Sequence, residues 1–163
     1  MKIRKYKVED CDTVSKLFFE TVHSVNAKDY TDEQLFAWAS SVEDLKNRRY
    51  DALSEQCTLV ADIDGKVVGF ASIDRSGELD LLFVHKDFQG QGIATALCKK
   101  LEEDFDIITS YASIMAKQFF ENRGYFIDKK QEVKRVGVKL INYKMKKIKQ
   151  EQKRLNKIMN DYS

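Results

Sequence analysis

Hydrophobic positions along this chain recur with two periods, one close to 2 and one close to 3.6, and the changes of period divide it into short elements. Ile3, Tyr6 and Val8 stand among charges and predict a strand over Lys2–Val8. Beyond Asp10, a residue type suited to capping, Cys11, Val14, Phe18, Val22 and Val25 recur at helical spacing. Thr31 begins a second predicted helix with Leu35, Trp38 and Ala39 on one face, and a charged helical stretch, Val42–Leu53, follows. Cys57–Ile63 and Lys66–Ile73 read as strands joined by Asp64-Gly65, a pair that favours a tight hairpin. A third strand, Glu78–Val84, follows a second turn at Ser76-Gly77.

The loop 85–91 leads into a predicted helix, Gly92–Phe105, with Ala94, Leu97, Cys98, Leu101 and Phe105 as its apolar stripe. Ile107–Tyr111 is a short buried strand, and Ser113–Arg123 a helix ended by Gly124. Two strands, Tyr125–Lys134 and Val138–Met145, close the pattern, followed by a helix over Ile148–Met159 with a thin stripe of Ile148, Leu155 and Met159. Antiparallel hairpins and βα units mix, so the expected class is α+β with a central mixed sheet. With no proline, no low-complexity stretch and no repeat, one domain is expected over 1–147, with a basic helical tail over 148–163.

Composition narrows the function classes. A chain of 163 residues, 43% hydrophobic and 33% charged, is the size of one domain with its own core. No run approaches the roughly 20 apolar residues that span a bilayer, and the start lacks the apolar segment of a signal peptide. The cysteines, Cys11, Cys57 and Cys98, are scattered and read as reduced, buried thiols of a cytoplasmic protein. With only two histidines, no metal site is expected. The net charge of +2 divides into +5 over residues 144–163 and −3 over the rest, which argues against a nucleic-acid-binding face. The basic tail suits a solvated helix, contact with an acidic partner or a phosphate, or dimerisation, so a monomer or homodimer is expected.

The candidate chemistry lies at Gln89-Gly90-Gln91-Gly92-Ile93-Ala94, between a buried strand and an amphipathic helix. The first turn of a helix has unpaired N–H groups and partial positive charge, and glycines let a phosphate reach the backbone. Thr95 offers a hydroxyl beside them. A Walker loop needs Gly-Lys-Ser/Thr, which is absent, and the spacing does not fit a dinucleotide fingerprint.

The stretch Leu81-Leu82-Phe83-Val84-His85-Lys86-Asp87-Phe88-Gln89-Gly90-Gln91-Gly92-Ile93-Ala94 resembles the acetyl-CoA-binding motif of the GNAT acetyltransferase superfamily, Gln/Arg-x-x-Gly-x-Gly/Ala, without departure. The element order from residue 1 to about 147 is similar to the GNAT fold. The resemblance implies acetyl-CoA as cosubstrate, with no metal. Leu82, Phe83 and Val84 would pair with the pantetheine arm, and Gln89, Gly90, Gln91, Gly92, Ile93, Ala94 and Thr95 would hold the diphosphate. It also implies that the cofactor strand splays from Ile107–Tyr111.

A base is needed to free the amine, and Glu78 stands where some GNAT enzymes carry a glutamate that acts through water; Asp80, on the same face, is the reserve candidate. The helix around Ala116–Gly124 is similar to the second GNAT signature, yet Phe120 stands in place of the tyrosine that protonates the thiolate in many members. Ser113 likewise replaces an asparagine that touches the pantetheine, and both residues remain expected at the cofactor.

The segment around Asp29-Tyr30-Thr31…Leu35…Trp38 and the stretch Arg135-x-Gly137…Asn142-Tyr143 resemble a bacterial subgroup named after YafP. His23, Tyr30 and Trp38 would form an aromatic wall for the amine, His23 and Tyr30 being further catalytic candidates. The reading is an N-acetyltransferase acting on a primary amine of a small molecule by direct attack in a ternary complex. A wide acidic groove would point instead to a protein lysine or N-terminal acetyltransferase, and Phe120 to a non-catalytic acyl-CoA-binding module.

Overall fold

The computed structural model describes residues 1–162; Ser163, the last residue of the expected tail, lies outside them. The elements are β1 (Lys2–Lys5), α1 (Cys11–Val22), α2 (Asp32–Trp38), α3 (Asp44–Glu55), β2 (Cys57–Ile63), β3 (Lys66–Ile73) and β4 (Glu78–Val84), then α4 (Ile93–Glu102), β5 (Ile107–Ala112), α5 (Ala116–Asn122), β6 (Phe126–Arg135), β7 (Val138–Ile148) and α6 (Lys149–Asp161). They build an α+β fold on one seven-stranded, mostly antiparallel sheet in the order β1-β2-β3-β4-β5-β7-β6. Every neighbouring pair is antiparallel except β4 and β5. Among the described residues no helix is long and apolar enough to cross a membrane.

The three central strands take the bounds read from the sequence because the Asp64-Gly65 turn and the Asp74 side chain fix their ends. Asp64 and Gly65 both have positive φ, 51° and 84°. The Asp74 carboxylate accepts from the backbone of Ser76 (2.9 Å) and Glu78 (3.0 Å), closing the second turn.

Elsewhere tertiary pairing moves the boundaries. Asp10 does not cap α1 with its side chain. Its carboxylate takes two 2.9 Å bonds from Arg4 and one of 2.8 Å from the Lys7 amide, so a single 3-10 turn precedes the helix. The helix stops at Val22 and the chain turns before Val25. Thr31 does cap α2, in a box with Gln34. At the far end β7 runs three residues past Met145, because Lys146, Lys147 and Ile148 pair with β5. The tail helix therefore begins only at Lys149. Cys57 is exposed, contrary to the expectation of burial, since it opens an edge of β2; Cys11 and Cys98 are buried.

Helices cover both faces of the sheet. On one face α1 and α3 pack Val14, Phe18, Leu45 and Leu53 against Val60, Phe70 and Leu81. On the other, α4 packs Ile93, Leu97 and Leu101 against Ala61, Ala71, Leu79 and Val84. Adjacent β4 residues serve different cores because Ser72 registers with Leu81 but Ile73 registers with Leu79, leaving Asp80 as an extra, bulged residue. Gly69 of β3 lets α4 sit close: a side-chain carbon there would stand 3.1 Å from Ile93 Cγ2.

The C-terminal end of α4 is held by a buried carboxylate. Glu102, 3% exposed, is ion-paired with Arg123, accepts from the Tyr125 hydroxyl at 2.7 Å and lies 3.6 Å from Lys147. Burial and the adjacent Glu102 raise the Tyr125 hydroxyl pKa, keeping it protonated as the donor. Removing one member of such a network strands the remaining charges out of water. Glu102→Ala should lower folding stability by about 3–5 kcal/mol, read by urea denaturation. A loss below about 1 kcal/mol would show that the network does not hold α4 to the sheet.

Candidate active site

β4 and β5 pair at only two positions, Glu78 with Thr109 and Leu79 with Ser110. The Ser110 hydroxyl donates to the Leu79 carbonyl at 3.0 Å and marks the last tie between them. Beyond it the strands part, and the side of β4 that faces β5 has no strand partner from the Asp80 bulge to Val84. Obligatory backbone donors and acceptors are thus left free along a strand edge inside the protein.

Two cavities open from this parting. One, of about 200 Å³, lies towards α4 and α5; Leu82, Phe83, Val84, Gln89, Ala94, Ser113 and Phe120 are among its lining residues. The other, of about 440 Å³, lies towards α2, α3 and the β6–β7 hairpin, with Tyr30, Trp38, Arg48, Arg49 and Arg135 in its wall. Trp38, Asp80, Phe83, Tyr111 and Ser113 line both, so the cavities meet there.

The glycine loop stands at the end of the smaller cavity. Gln89 Nε2 donates to the Val84 carbonyl at 2.5 Å and folds the loop over the strand end. Gly92 is the N-cap of α4 with φ of 80°, and no side chain caps the helix. A side-chain carbon at Gly90 or Gly92 would meet no protein atom within 4 Å, so the space above the backbone is open to a ligand. Gln91 is exposed, Ile93 is buried in the core and Thr95 is half-buried on the first turn, so Ile93 can offer only its backbone.

The sequence-derived site residues divide on inspection. Phe120, 2% exposed, packs edge-on against Tyr125 at 4.9 Å and carries no proton to give. Ser113 Oγ accepts from the Ala116 amide at 3.2 Å, and the buried Asn26 amide reaches it at 3.5 Å. Asp80 is not a free carboxylate: Arg49 grips it with contacts of 2.5 and 3.3 Å. Glu78 lines neither cavity, yet its pKa is raised, first by desolvation and then by Asp80 and Asp74, against the opposing pull of Arg49 and Lys144.

Tyr30 and His23 depart from the expected roles. The Tyr30 hydroxyl donates to the Ile141 carbonyl (3.1 Å) and accepts from the Ile114 amide (3.0 Å). It thereby ties β7 to the loop after β5, and burial raises its pKa, so it is poorly placed to exchange a proton. His23 faces away from the expected wall, stacked between Phe19 (4.3 Å) and Phe36 (4.4 Å) with Nε2 at 2.8 Å from the Ala39 carbonyl. The wall that does form is Tyr30, Trp38 and Phe83, with centroid distances of 5.5 and 6.4 Å. Burial pushes the Cys98 thiol up to about 12, which removes it as a nucleophile.

Sequence reading did not place Asn26, Tyr111, Arg49 or Arg135 at the cavities. Arg135 stood in the YafP-like stretch, and alternation along β5 turns Tyr111 away from the core face of Ile108, Ser110 and Ala112.

Comparison with known proteins agrees with this geometry. The family model described as an acetyltransferase (GNAT) domain matches residues 26–147. An uncharacterized N-acetyltransferase of Escherichia coli K12, YafP, is 33% identical over 147 residues, which cover 90% of this chain and 95% of that protein. The crystal structure of a GCN5-related N-acetyltransferase from Rhodopseudomonas palustris is 35% identical and covers 90% of this chain and 94% of its own, with a TM-score of 0.85. The PaiA N-acetyltransferase from Thermoplasma acidophilum, solved with coenzyme A, shares the fold at 20% identity, covering 90% and 98% of the two chains with a TM-score of 0.68.

The electrostatics of β4 can be tested directly. Arg49 stabilises the charged form of Glu78, so Arg49→Met should raise the Glu78 pKa above its already raised value. NMR titration of the Glu78 carboxyl carbon checks this; a fall on substitution would show that Arg49 does not act on Glu78.

Proposed function

The chain belongs to the GNAT acetyltransferase family, and we propose that within it this protein transfers the acetyl group of acetyl-CoA to the primary amine of a small molecule, by direct attack in a ternary complex. The observation that carries this reading is the parting of β4 from β5 beside an uncapped, glycine-led helix start. A strand-like pantetheine arm fits the free edge of β4, and a diphosphate fits the open backbone at Gly90 and Gly92. When bound there, acetyl-CoA supplies an acetyl group activated as a thioester.

The protein's own residues supply the rest. The free backbone of β4 near Leu82 and Phe83 offers N–H to the carbonyl oxygen as negative charge develops on it. Glu78, made more basic by desolvation and by Asp80, takes the amine proton through water. Asp80, held by Arg49, lies at the junction of the cavities and orients the amine. Phe120 cannot protonate the departing thiolate, and Tyr111, a phenol lining both cavities, is the group assigned to that step. Trp38 and Phe83 exclude water and pack on the apolar part of the acceptor. A small molecule is favoured over a protein lysine because the acceptor cavity is walled by Arg48, Arg49 and Arg135, whereas a lysine-bearing peptide asks for an acidic groove.

Thiol release from acetyl-CoA across a panel of amines tests transfer; tight acetyl-CoA binding without turnover of any amine would favour a binding module instead. Glu78→Gln should lower kcat/KM about 100-fold at neutral pH and abolish its acid limb, since the base works only above its folded pKa. Tyr111→Phe should lower kcat roughly tenfold or more with acetyl-CoA affinity intact. An unchanged rate in either variant removes that residue from the mechanism. Gly92→Val should weaken acetyl-CoA binding in calorimetry, because a branched side chain at positive φ fills the cradle; an unchanged Kd would place the diphosphate elsewhere.

A further inference from the structure

The larger cavity carries a charge that the transfer reaction does not use. Three guanidiniums, those of Arg48, Arg49 and Arg135, meet on its wall. Two are already committed. Arg48 holds Asp44 with contacts of 3.0 and 2.9 Å, and Arg49 holds Asp80. Arg135 has no ion-pair partner among the described residues. The wall therefore carries Arg48, Arg49, Lys134 and Arg135 against Asp80 in the lining and the Asp44 bound by Arg48, with the excess positive charge at the β6–β7 end.

Arg135 is also held in place. Gln131, Val133, Lys134 and Arg135 of β6 line the cavity, three of them on alternate positions of the strand. Arg135 pairs with Val138, and the two-residue turn between them has φ of 49° at Val136 and 75° at Gly137. A β-branched, 90% exposed valine in the left-handed region is strained, and nothing in its own contacts rewards it. Such strain is found where a backbone is held to aim a side chain. Desolvation first, and then the nearby Arg48 and Arg49, lower the Arg135 pKa, so an incoming anion pairs the charge and relieves some repulsion.

The position relative to the reaction centre completes the case. Asp80 at the junction and Arg135 at the hairpin end interact electrostatically across the same cavity. One end of the cavity thus suits an ammonium or amine, the other a carboxylate, with Trp38 and Tyr30 between.

We propose that the acceptor is an amino carboxylate, whose carboxylate is bound by Arg135 with help from the unused N–H of Arg48 while its amine lies at the β4–β5 junction. This rests on the acetyl-transfer reading and adds the substrate class. Arg135 is a specificity residue and takes no part in proton transfer.

The test uses amino acids matched with their decarboxylated amines: lysine with cadaverine, histidine with histamine, phenylalanine with phenethylamine. Each is titrated calorimetrically into the coenzyme-A-saturated protein, and thiol release is measured in parallel with acetyl-CoA. At least one amino acid should bind ten times or more tighter than its amine counterpart. Arg135→Gln should erase that margin while changing binding of the amine counterpart by less than threefold, and Arg135→Lys should restore part of it. Amines that bind as well as or better than every amino acid, or an Arg135→Gln variant that weakens both members of a pair equally, would overturn the proposal. Because binding is read without turnover, failure of acetyl transfer and failure of carboxylate recognition are seen separately.

Discussion

The parting of two parallel strands is the constraint on which the rest of this molecule depends. β4 and β5 share two paired positions, then diverge at the Asp80 bulge. A sheet left open in its middle exposes backbone groups that need partners, which destabilises it unless something else holds both halves. Here the halves are held from outside the gap. Both strands stay locked to their other neighbours, β4 to β3 and β5 to β7. The Glu102 network ties the end of α4 to Arg123, Tyr125 and Lys147, across the gap from β3. The Tyr30 hydroxyl bridges β7 and the loop after β5 on the acceptor side. The free edge is thereby kept for a ligand.

The bulge does a second task. By inserting one residue it turns Leu81 and Phe83 to the α1/α3 core while Leu79 and Val84 stay in the α4 core. It also sets Asp80 where both cavities meet, in reach of Arg49. One backbone irregularity thus lies where the two cavities meet and places a carboxylate at their junction. The cavities differ in character: the larger is aromatic and cationic, and the smaller ends at the glycine loop.

Much of this was legible in the chain itself, and for identifiable reasons. The bounds of β2, β3 and β4 and the start of α2 depend on local chemistry: a hairpin pair, an aspartate that caps a turn, a Thr31–Gln34 box. The uncapped, glycine-led start of α4 was legible too, because helix-start chemistry and glycine need only a few neighbouring residues. His23 and Cys57 were misjudged, and the double bonding of the Tyr30 hydroxyl was not foreseen, for the opposite reason. Whether a histidine joins Trp38 or stacks on Phe36, and whether a phenol is free or twice bonded, depends on elements far apart in sequence.

The sequence by itself determined the order of elements, the family and the glycine-led helix start after β4, because periodicity, turn chemistry and a contiguous motif are local properties. Only the tertiary structure decided which charges are spent and which remain. The Asp80 carboxylate of β4 is paired with Arg49, 31 positions earlier on α3, and Asp44 with Arg48, while Arg135 has no ion-pair partner among the described residues. Ion pairing between distant segments leaves no periodic trace in a sequence, since it depends on side-chain separation in space. Burial first, and then Asp80 and Asp74, raise the Glu78 pKa against the pull of Arg49, and the arginines give the larger cavity its positive end.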